Sequence, residues 1–416
     1  MTRACAVLLG ILLLLLVPLA APAEAEDTLT LFVATDLHYL APELTDHGPC
    51  FEQTITRGDG KVMAYSEELV EAFVAQVIDR RPDALILSGD LTFEGERASH
   101  EALADKLARI TAAGIPVLAL PGNHDLNNTS AARYAGEGYE RVDSVTSLEF
   151  LDIYRPFGYA DAFARDRASL SYMASLSPTL RLLMIDVNDS LQGEVDPQTL
   201  VWAEEQLAQA KRDGCRVIAV SHQNLLIHSS RFSYGFTIDN AFALQALYAD
   251  APVLCNLSGH IHMQHISRSE EGLWDIATSS LAVSPNQYGV VTLTESGLSY
   301  RTETVDVSTW AARQGLTDPN LVDFPAYSEA FFKQNARRQA LGRITEDENP
   351  EQLADFFADI NAAYFAGRMD AFVPDEQLLA RWRQEPAFLA GYIDSIAQEP
   401  LRNHCVLTLA LDAAAE

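Results

Sequence analysis

From Leu29 onward the chain alternates short apolar, β-branched runs with longer stretches in which apolar positions recur every three to four residues. The runs at 29–35, 84–88, 115–120, 180–187, 216–220, 252–257, 273–278 and 289–294 read as strands, several too continuously apolar to have a wet face. Between them lie amphipathic helices. One covers 66–80, with Leu69, Val70, Phe73, Val74 and Val77 on one face and Ser66 as its N-cap. A second covers 99–113, with Leu103, Leu107 and Ile110 in register and Gly114 as its stop. A third starts at Pro197 behind the N-cap Asp196 and ends at Gly214. This alternation predicts an α/β fold, a parallel or mixed sheet covered by helices. Right-handed crossovers bring the C-terminal ends of parallel strands to one edge, where such sheets bind ligands.

The pattern changes after residue 324. Residues 327–341, 349–366 and 375–397 are helix-patterned and rich in Ala, Phe, Leu and Arg, and 405–411 could return as a strand. At the other end, Arg3 precedes an unbroken apolar stretch, Val7 to Val17. Pro18 and the small-residue sites Ala21-Pro22-Ala23 and Ala23-Glu24-Ala25 follow. That is the build of a signal peptide, or of an uncleaved anchor, since the uncharged run from Ala4 to Ala23 is near the minimum for a span. Either way the folded part is exported: extracellular, cell-surface or periplasmic. The expected organisation is a targeting segment at 1–25, a catalytic domain at 26–324 and a small all-α domain at 325–416. Loops 40–63 and 126–147 are long enough to be rims or lids.

Charge narrows the partners. With 29 Lys plus Arg against 58 Asp plus Glu among 416 residues, the net charge is -29. Such a surface repels polymeric nucleic acid and anionic membranes. It leaves room for a small phosphate ester, because bound metal ions can reverse the local sign. Cys50, Cys215, Cys255 and Cys405 could pair in an exported chain or stay as buried thiols.

The chemistry sits directly after the strands: Asp36-Leu37-His38, Gly89-Asp90, Gly122-Asn123-His124-Asp125, Ser221-His222 and Gly259-His260-Ile261-His262. Each alone reads as a loop cap or a satisfied polar residue; five in order, each behind an apolar run, do not. An extended Asp-x-His would point both side chains to one side, where one cation can accept both. Glycines before Asp90, Asn123 and His260 allow close backbone approach. Imidazole, carboxylate and amide donors suit Mn, Fe or Zn better than Ca, and no thiolate takes part.

These motifs resemble the signature of the calcineurin-like metallophosphoesterases: DxH, GD, GNH(D/E), H and GHxH. The wider stretches ATDLHYL, LILSGDLT, PGNHDLNN, LSGHIH and IATSSLAVSPNQYGV are most similar to exported bacterial class III cyclic-nucleotide phosphodiesterases with a helical C-terminal domain. The resemblance implies a sandwich of mixed sheets flanked by helices. It also implies two divalent or trivalent metal ions. Asp36, His38 and His262 would hold one, Asn123, His222 and His260 the other, with Asp90 bridging. His124 would be a catalytic histidine off the metals. The implied reaction is hydrolysis of a small phosphodiester, a cyclic nucleotide above all, by a metal-bridging hydroxide with His124 assisting the leaving group. Gln223 departs from relatives that carry two adjacent histidines here.

Asn127, Asn128, Asn224 and His228 are candidates for a substrate cleft, against ordinary loop hydrogen bonding. Tyr39 and Tyr288 could stack on a base or simply be buried. Asp125 could orient His124 or be structural, and Asp186 has no metal role in the motif. His47, His100, His265 and His404 read as solvated or structural. A phosphomonoesterase or nucleotidase would use the same site. A catalytically silent, metal-stabilised binding module is the alternative of another class. Oligomeric state leaves no trace in the sequence.

Overall fold

The computed structural model describes residues 28–411. The expected targeting segment at 1–25 lies outside the described residues, among which no helix is long and apolar enough to cross a membrane.

The strands of the described residues are β1 (Leu29–Ala34), β2 (Ala84–Ser88), β3 (Val117–Leu120), β4 (Ala132–Ala135), β5 (Gly138–Arg141), β6 (Ala164–Arg165), β7 (Tyr172–Ser177), β8 (Leu180–Ile185), β9 (Arg216–Ser221), β10 (Val253–Ser258), β11 (His265–Arg268), β12 (Trp274–Ala277), β13 (Gln287–Leu293), β14 (Gly297–Thr304) and β15 (Val406–Ala410). They form two large mixed sheets. One runs β15-β14-β13-β1-β2-β3, the other β11-β12-β10-β9-β8-β7-β6, and β4-β5 is a separate hairpin. Each sheet has a parallel part: β1-β2-β3, running to one edge of the first, and β8-β9-β10-β12 in the middle of the second. Antiparallel strands complete the first sheet on its other side and the second at both ends, so the fold is the expected α/β sandwich of mixed sheets.

Strand alternation explains the layering. In the second sheet Leu182, Met184, Ile218, Val220 and Leu257 turn inward to the core shared with the first sheet. Their neighbours Leu183, Ile185, Val217 and Ala219 turn outward and pack with residues of the helices Pro197–Arg212 and Ala241–Ala249. The helix Ser66–Arg80 buries Leu69, Val70, Phe73, Val74 and Val77, the face its periodicity predicts. Ser66 is not its cap, because the Ser66 hydroxyl accepts from the Leu40 N–H at 3.0 Å. Asp196 does cap its helix, accepting from the Gln198 N–H at 2.8 Å.

The C-terminal helices Phe324–Leu341, Pro350–Phe365, Glu376–Trp382 and Ala387–Ala397 share a core built on Leu353, Phe357, Ile360, Trp382 and Ile393. That core also takes in Ile261 and Met263 from the loop after β10. The chain then returns as β15, antiparallel to β14, tying the helical region to the first sheet. The long loops are partly ordered: Pro49–Arg57 is helical, Ala132–Arg141 holds the β4-β5 hairpin, and Ser147–Ile153 is a helix with a capping box at Thr146 and Glu149. All four described cysteines are free thiols, Cys215, Cys255 and Cys405 among them buried.

Candidate metal centre

Five parallel strands, three from one sheet and two from the other, end at a common edge. β1 is followed by Asp36 and His38, β2 by Asp90, β3 by Asn123 and His124, β9 by His222, and β10 by His260 and His262. The side chains converge. Donor atoms of Asp36, His38, Asp90 and His262 all lie within 4.8 Å of one another, and so do those of Asp90, His222 and His260. Asp90 belongs to both groups. Asn123 joins the second, its Oδ1 being 3.1 Å from His222 Nε2.

The backbone achieves this differently from the extended Asp-x-His arrangement expected from the sequence. Asp36 and His38 have φ of 52° and 44°, and Asp90, His260 and His262 are likewise left-handed at 46°, 66° and 61°. Such conformations are uncommon for residues with a Cβ and gather at functional sites. Here the chain must turn sharply off each strand to aim polar groups inward while Leu37 and Ile261 go to the core. Space is equally constrained. A Cβ at Gly259 would collide with Thr35 Oγ1, and one at Gly122 with the Asp90 carboxylate. Glycine at both points is a condition for the approach.

Three of the four rings are oriented by a partner outside the cluster, while His38 Nδ1 is buried without one. His222 Nδ1 donates to the Ser88 carbonyl at 2.9 Å, which turns Nε2 inward, 3.3 Å from Asp90 Oδ2. His260 Nε2 donates to the Gly235 carbonyl at 2.8 Å, leaving Nδ1 for the centre. His262 Nδ1 lies 3.2 Å from Asp59 Oδ2 and its Nε2 is 3.3 Å from Asp36 Oδ1. The Nε2 atoms of His38 and His262 face each other at 3.1 Å. Asp36 Oδ1 is buried without a hydrogen-bond partner, while Oδ2 accepts from Thr35 Oγ1 and the His260 N–H. A buried carboxylate oxygen without a donor, facing His262 Nε2, whose Nδ1 is already committed to Asp59, and His38 Nε2, is a donor set for cations. Asp59, Ser88, Phe93 and Gly235 escaped the sequence reading. Three of them act through backbone carbonyls, which any residue type supplies, and Asp59 sits in a loop without periodicity.

Electrostatics agree. Burial disfavours charge on His222, but Asp90 outweighs it and pushes the imidazole up to about 9. His262 is likewise raised to about 9 by Asp36 and Asp59 against burial. Burial pulls His260 down to about 4. Burial opposes ionisation of Asp36 and Asp90, yet the surrounding imidazoles hold both carboxyls below their usual range. Without metal, this cluster takes up protons to balance its carboxylates; cations can occupy the same balance.

His124 stands beside the cluster. Its backbone N–H donates to Asp90 Oδ1 at 2.8 Å. Its Nδ1 donates to the Phe93 carbonyl at 3.0 Å and lies 3.3 Å from Glu94 Oε2, while Nε2 is 3.9 Å from Asp90 Oδ2. Asp125 does not touch the ring of His124. It accepts from the N–H groups of Leu91, Thr92 and Gly122, which locks the GD turn to the GNHD turn.

Of the four candidates for a substrate cleft, Asn128, Asn224 and His228 have side chains engaged within the protein. Asn128 is braced on both sides: Nδ2 donates to Glu94 Oε2 and the His124 carbonyl, and Oδ1 accepts from the Ser130 N–H. Asn224 is buried and its Nδ2 donates to Ser258 Oγ and the Gly259 carbonyl, which braces the turn before His260. His228 is buried between Asp275 and His265, at 3.0 Å from each. Gln223 forms a reciprocal amide pair with Asn188 at 3.0 and 2.8 Å. The rings of Tyr39 and Tyr288 are fully buried, with their hydroxyls on Glu67 and Glu303.

Comparison with known proteins matches this picture. Residues 29–264 match the calcineurin-like phosphoesterase family, and residues 306–403 match the C-terminal domain of cyclic nucleotide phosphodiesterase. A probable cyclic nucleotide phosphodiesterase of Synechococcus sp. is 35% identical over 103 residues, 24% of this chain and 34% of that protein, so the match spans about a third of the relative. Among solved structures, a dimetal phosphatase from Danio rerio aligns with 66% of this chain and 95% of its own, at 16% identity and a TM-score of 0.47. A 5′-nucleotidase from Candida albicans aligns with 76% of this chain and 58% of its own, at 11% identity and a TM-score of 0.34. The chain belongs to the calcineurin-like phosphoesterase family.

Proposed function

We propose that the chain is an exported phosphodiesterase that hydrolyses a small phosphodiester, a cyclic nucleotide foremost, at a centre of two metal ions. The observation that carries this reading is Asp90, shared by two groups of donors that each suit one cation. Asp36, His38, Asp90 and His262 would hold the first ion, and Asp90, Asn123, His222 and His260 the second, with Mn, Fe or Zn suited to the donors. When bound, such a pair lowers the pKa of water from 15.7 to about 7 and draws charge from phosphoryl oxygens.

The protein's own groups do the rest. Ser88, Gly235 and Asp59 hold the ring nitrogens in register. Burial disfavours charge on His124, but Asp90 and Glu94 outweigh it and hold the imidazole above its ordinary range. A proton on Nε2, on the cluster side of the ring, is then available to the leaving oxygen. Asn128 keeps Glu94 and the backbone of His124 in place. The match of residues 306–403 to the C-terminal domain of cyclic nucleotide phosphodiesterase supports the substrate class. The Val7 to Val17 run with its small-residue sites supports export.

The test is a comparison of initial rates on a bis-aryl phosphate diester and its aryl monoester, using metal-stripped protein reloaded with Mn²⁺. A diester preference is expected, followed by turnover of cyclic nucleotides. A monoester preference would move the chain to the phosphatases, and no turnover on either would defeat the diesterase reading.

A further inference from the structure

The wall of the centre that faces the helical region opens into a cavity of about 220 Å³. His260 and His262 form one end. The sides are aromatic: Phe232 and Phe236 from the loop after His222, and Phe332 and Phe365 from two C-terminal helices. Phe236 packs 5.4 Å from the His260 ring, centroid to centroid, and Phe332 lies 5.1 Å from Phe365. Asn361 stands one turn before Phe365 on the helix Pro350–Phe365, so both reach the same wall. Its Oδ1 accepts from Tyr392 Oη at 2.5 Å, which fixes the amide. Its Nδ2 donates to no group among the described residues.

Asp59, Met263 and Gln339 also line the chamber, and Gln339 Nε2 donates to the Gly58 carbonyl at 3.3 Å. An unpaired amide donor among aromatic rings, as at Asn361, favours a flat ring with an acceptor on its edge. The chamber is smaller than the ~300–1,000 Å³ pockets that enclose whole drug-sized ligands. It holds a ring system and leaves an attached phosphate at the His260–His262 end. The site is also mechanically joined to the metal cluster. The Gly235 carbonyl that orients His260 lies between Phe232 and Phe236, and Ile261, between the two histidines, is part of the helical core.

We propose that this cavity seats the nucleobase of the substrate, stacked on the phenylalanines with Asn361 Nδ2 donating to a ring acceptor. The C-terminal helices then determine substrate choice. The proposal rests on the reading of a small phosphodiester substrate and names the part of that substrate the helical region reads.

The experiment is calorimetric binding of adenosine 5′-monophosphate and of ribose 5-phosphate to the full, Mn²⁺-loaded protein. The variants are Phe365→Leu, Phe232→Leu and Asn361→Asp, the last keeping the acceptor for Tyr392 while removing the donor. Each variant's thermal melt reports whether it is folded. Base stacking predicts that the nucleotide binds about 10-fold or more tighter than the sugar phosphate. The ratio should collapse towards one in folded Phe365→Leu or Phe232→Leu protein and fall in Asn361→Asp. A ratio near one in the wild type, or one unchanged in all folded variants, overturns the proposal. Because binding is read without turnover, the two readings separate. Base-dependent binding without diester hydrolysis defeats the phosphodiesterase and keeps the pocket. Diester hydrolysis with a ratio of one keeps the enzyme and defeats the pocket.

Discussion

Two buried histidine clusters lie close together along this chain, and only one is built for metal. The first gathers Asp36, His38, Asp90, His222, His260 and His262. The second gathers His265, Glu399 and His404, also with donor atoms within 4.8 Å, and reaches through His228 to Asp275. By residue type and distance they are alike. They differ in what the ring nitrogens already do. In the second, His265 Nε2 meets Glu399 Oε1 at 2.5 Å and His265 Nδ1 meets His228 Nδ1 at 3.0 Å, so both nitrogens are spent. His404 Nδ1 accepts from the Ile266 N–H at 2.9 Å, which leaves the neutral ring's hydrogen on Nε2, the atom aimed at Glu399. A nitrogen that carries hydrogen cannot ligate. In the first cluster the outer nitrogens of His222 and His260 donate to carbonyls, freeing the inner lone pairs. The second cluster joins the helical region to the sheet edge; the first is left open to cations. Tautomer, more than composition, separates a latch from a metal site.

The largest effect expected from breaking this contrast is at Asp90. Asp90→Asn removes charge from both groups of donors, and metal analysis should fall from about two equivalents per chain to one or fewer, with turnover lost. Glu399→Gln is the counterpart. It should leave metal content and kcat unchanged and lower the melting temperature by a few degrees, at about 2–4 °C per kcal/mol for a domain of this size. Loss of metal in Glu399→Gln would erase the distinction. Next comes His124→Asn, which should reduce kcat on a phosphodiester by about 10²–10⁴-fold while metal content stays at the wild-type value. A parallel loss of metal would make His124 a ligand.

Much of the first cluster was legible in the sequence because each ligand follows an apolar strand, and strand ends of an α/β fold share an edge. Less legible was how the ligands converge. Asp-x-His reads as extended, yet Asp36 and His38 are left-handed, a state that periodicity does not reveal. Asn224 and His228 sit near motif residues in sequence and read as cleft residues, but their loop folds inward and buries both. His265 and His404 read as solvated or structural; their distance of 139 positions hides a stacked pair 3.8 Å apart, which only the return of the chain through the helical region creates.

A smaller effect tests whether the outer partners matter. Asp59→Asn keeps size but removes the charge beside His262 Nδ1. Metal affinity, read by titrating activity against a chelator buffer, should weaken about 10–100-fold, with kcat recovered at saturating metal. An unchanged affinity would mean that His262 is held by packing of Ile261 and Met263 alone.

The smallest effect is a pH signature of the latch. Burial, with His265 and His228 adding to it, pulls His404 down to about 3 from an ordinary 6.5. Between those values the unfolded chain binds a proton that the folded chain refuses. The resulting stability is present above about pH 6.5 and is lost as pH falls towards 3. His404→Asn retains an acceptor for the Ile266 N–H and removes the titration. Melting temperatures from pH 7.5 to 4.5, at one saturating metal concentration, should therefore fall less steeply in the variant. Metal release on acidification acts on both proteins through the other cluster, so the difference between the two curves isolates His404. Parallel curves would mean that His404 is protonated in the folded protein. Its Nδ1 could then no longer accept from Ile266, and the tautomer argument that sets the two clusters apart would lose its second half.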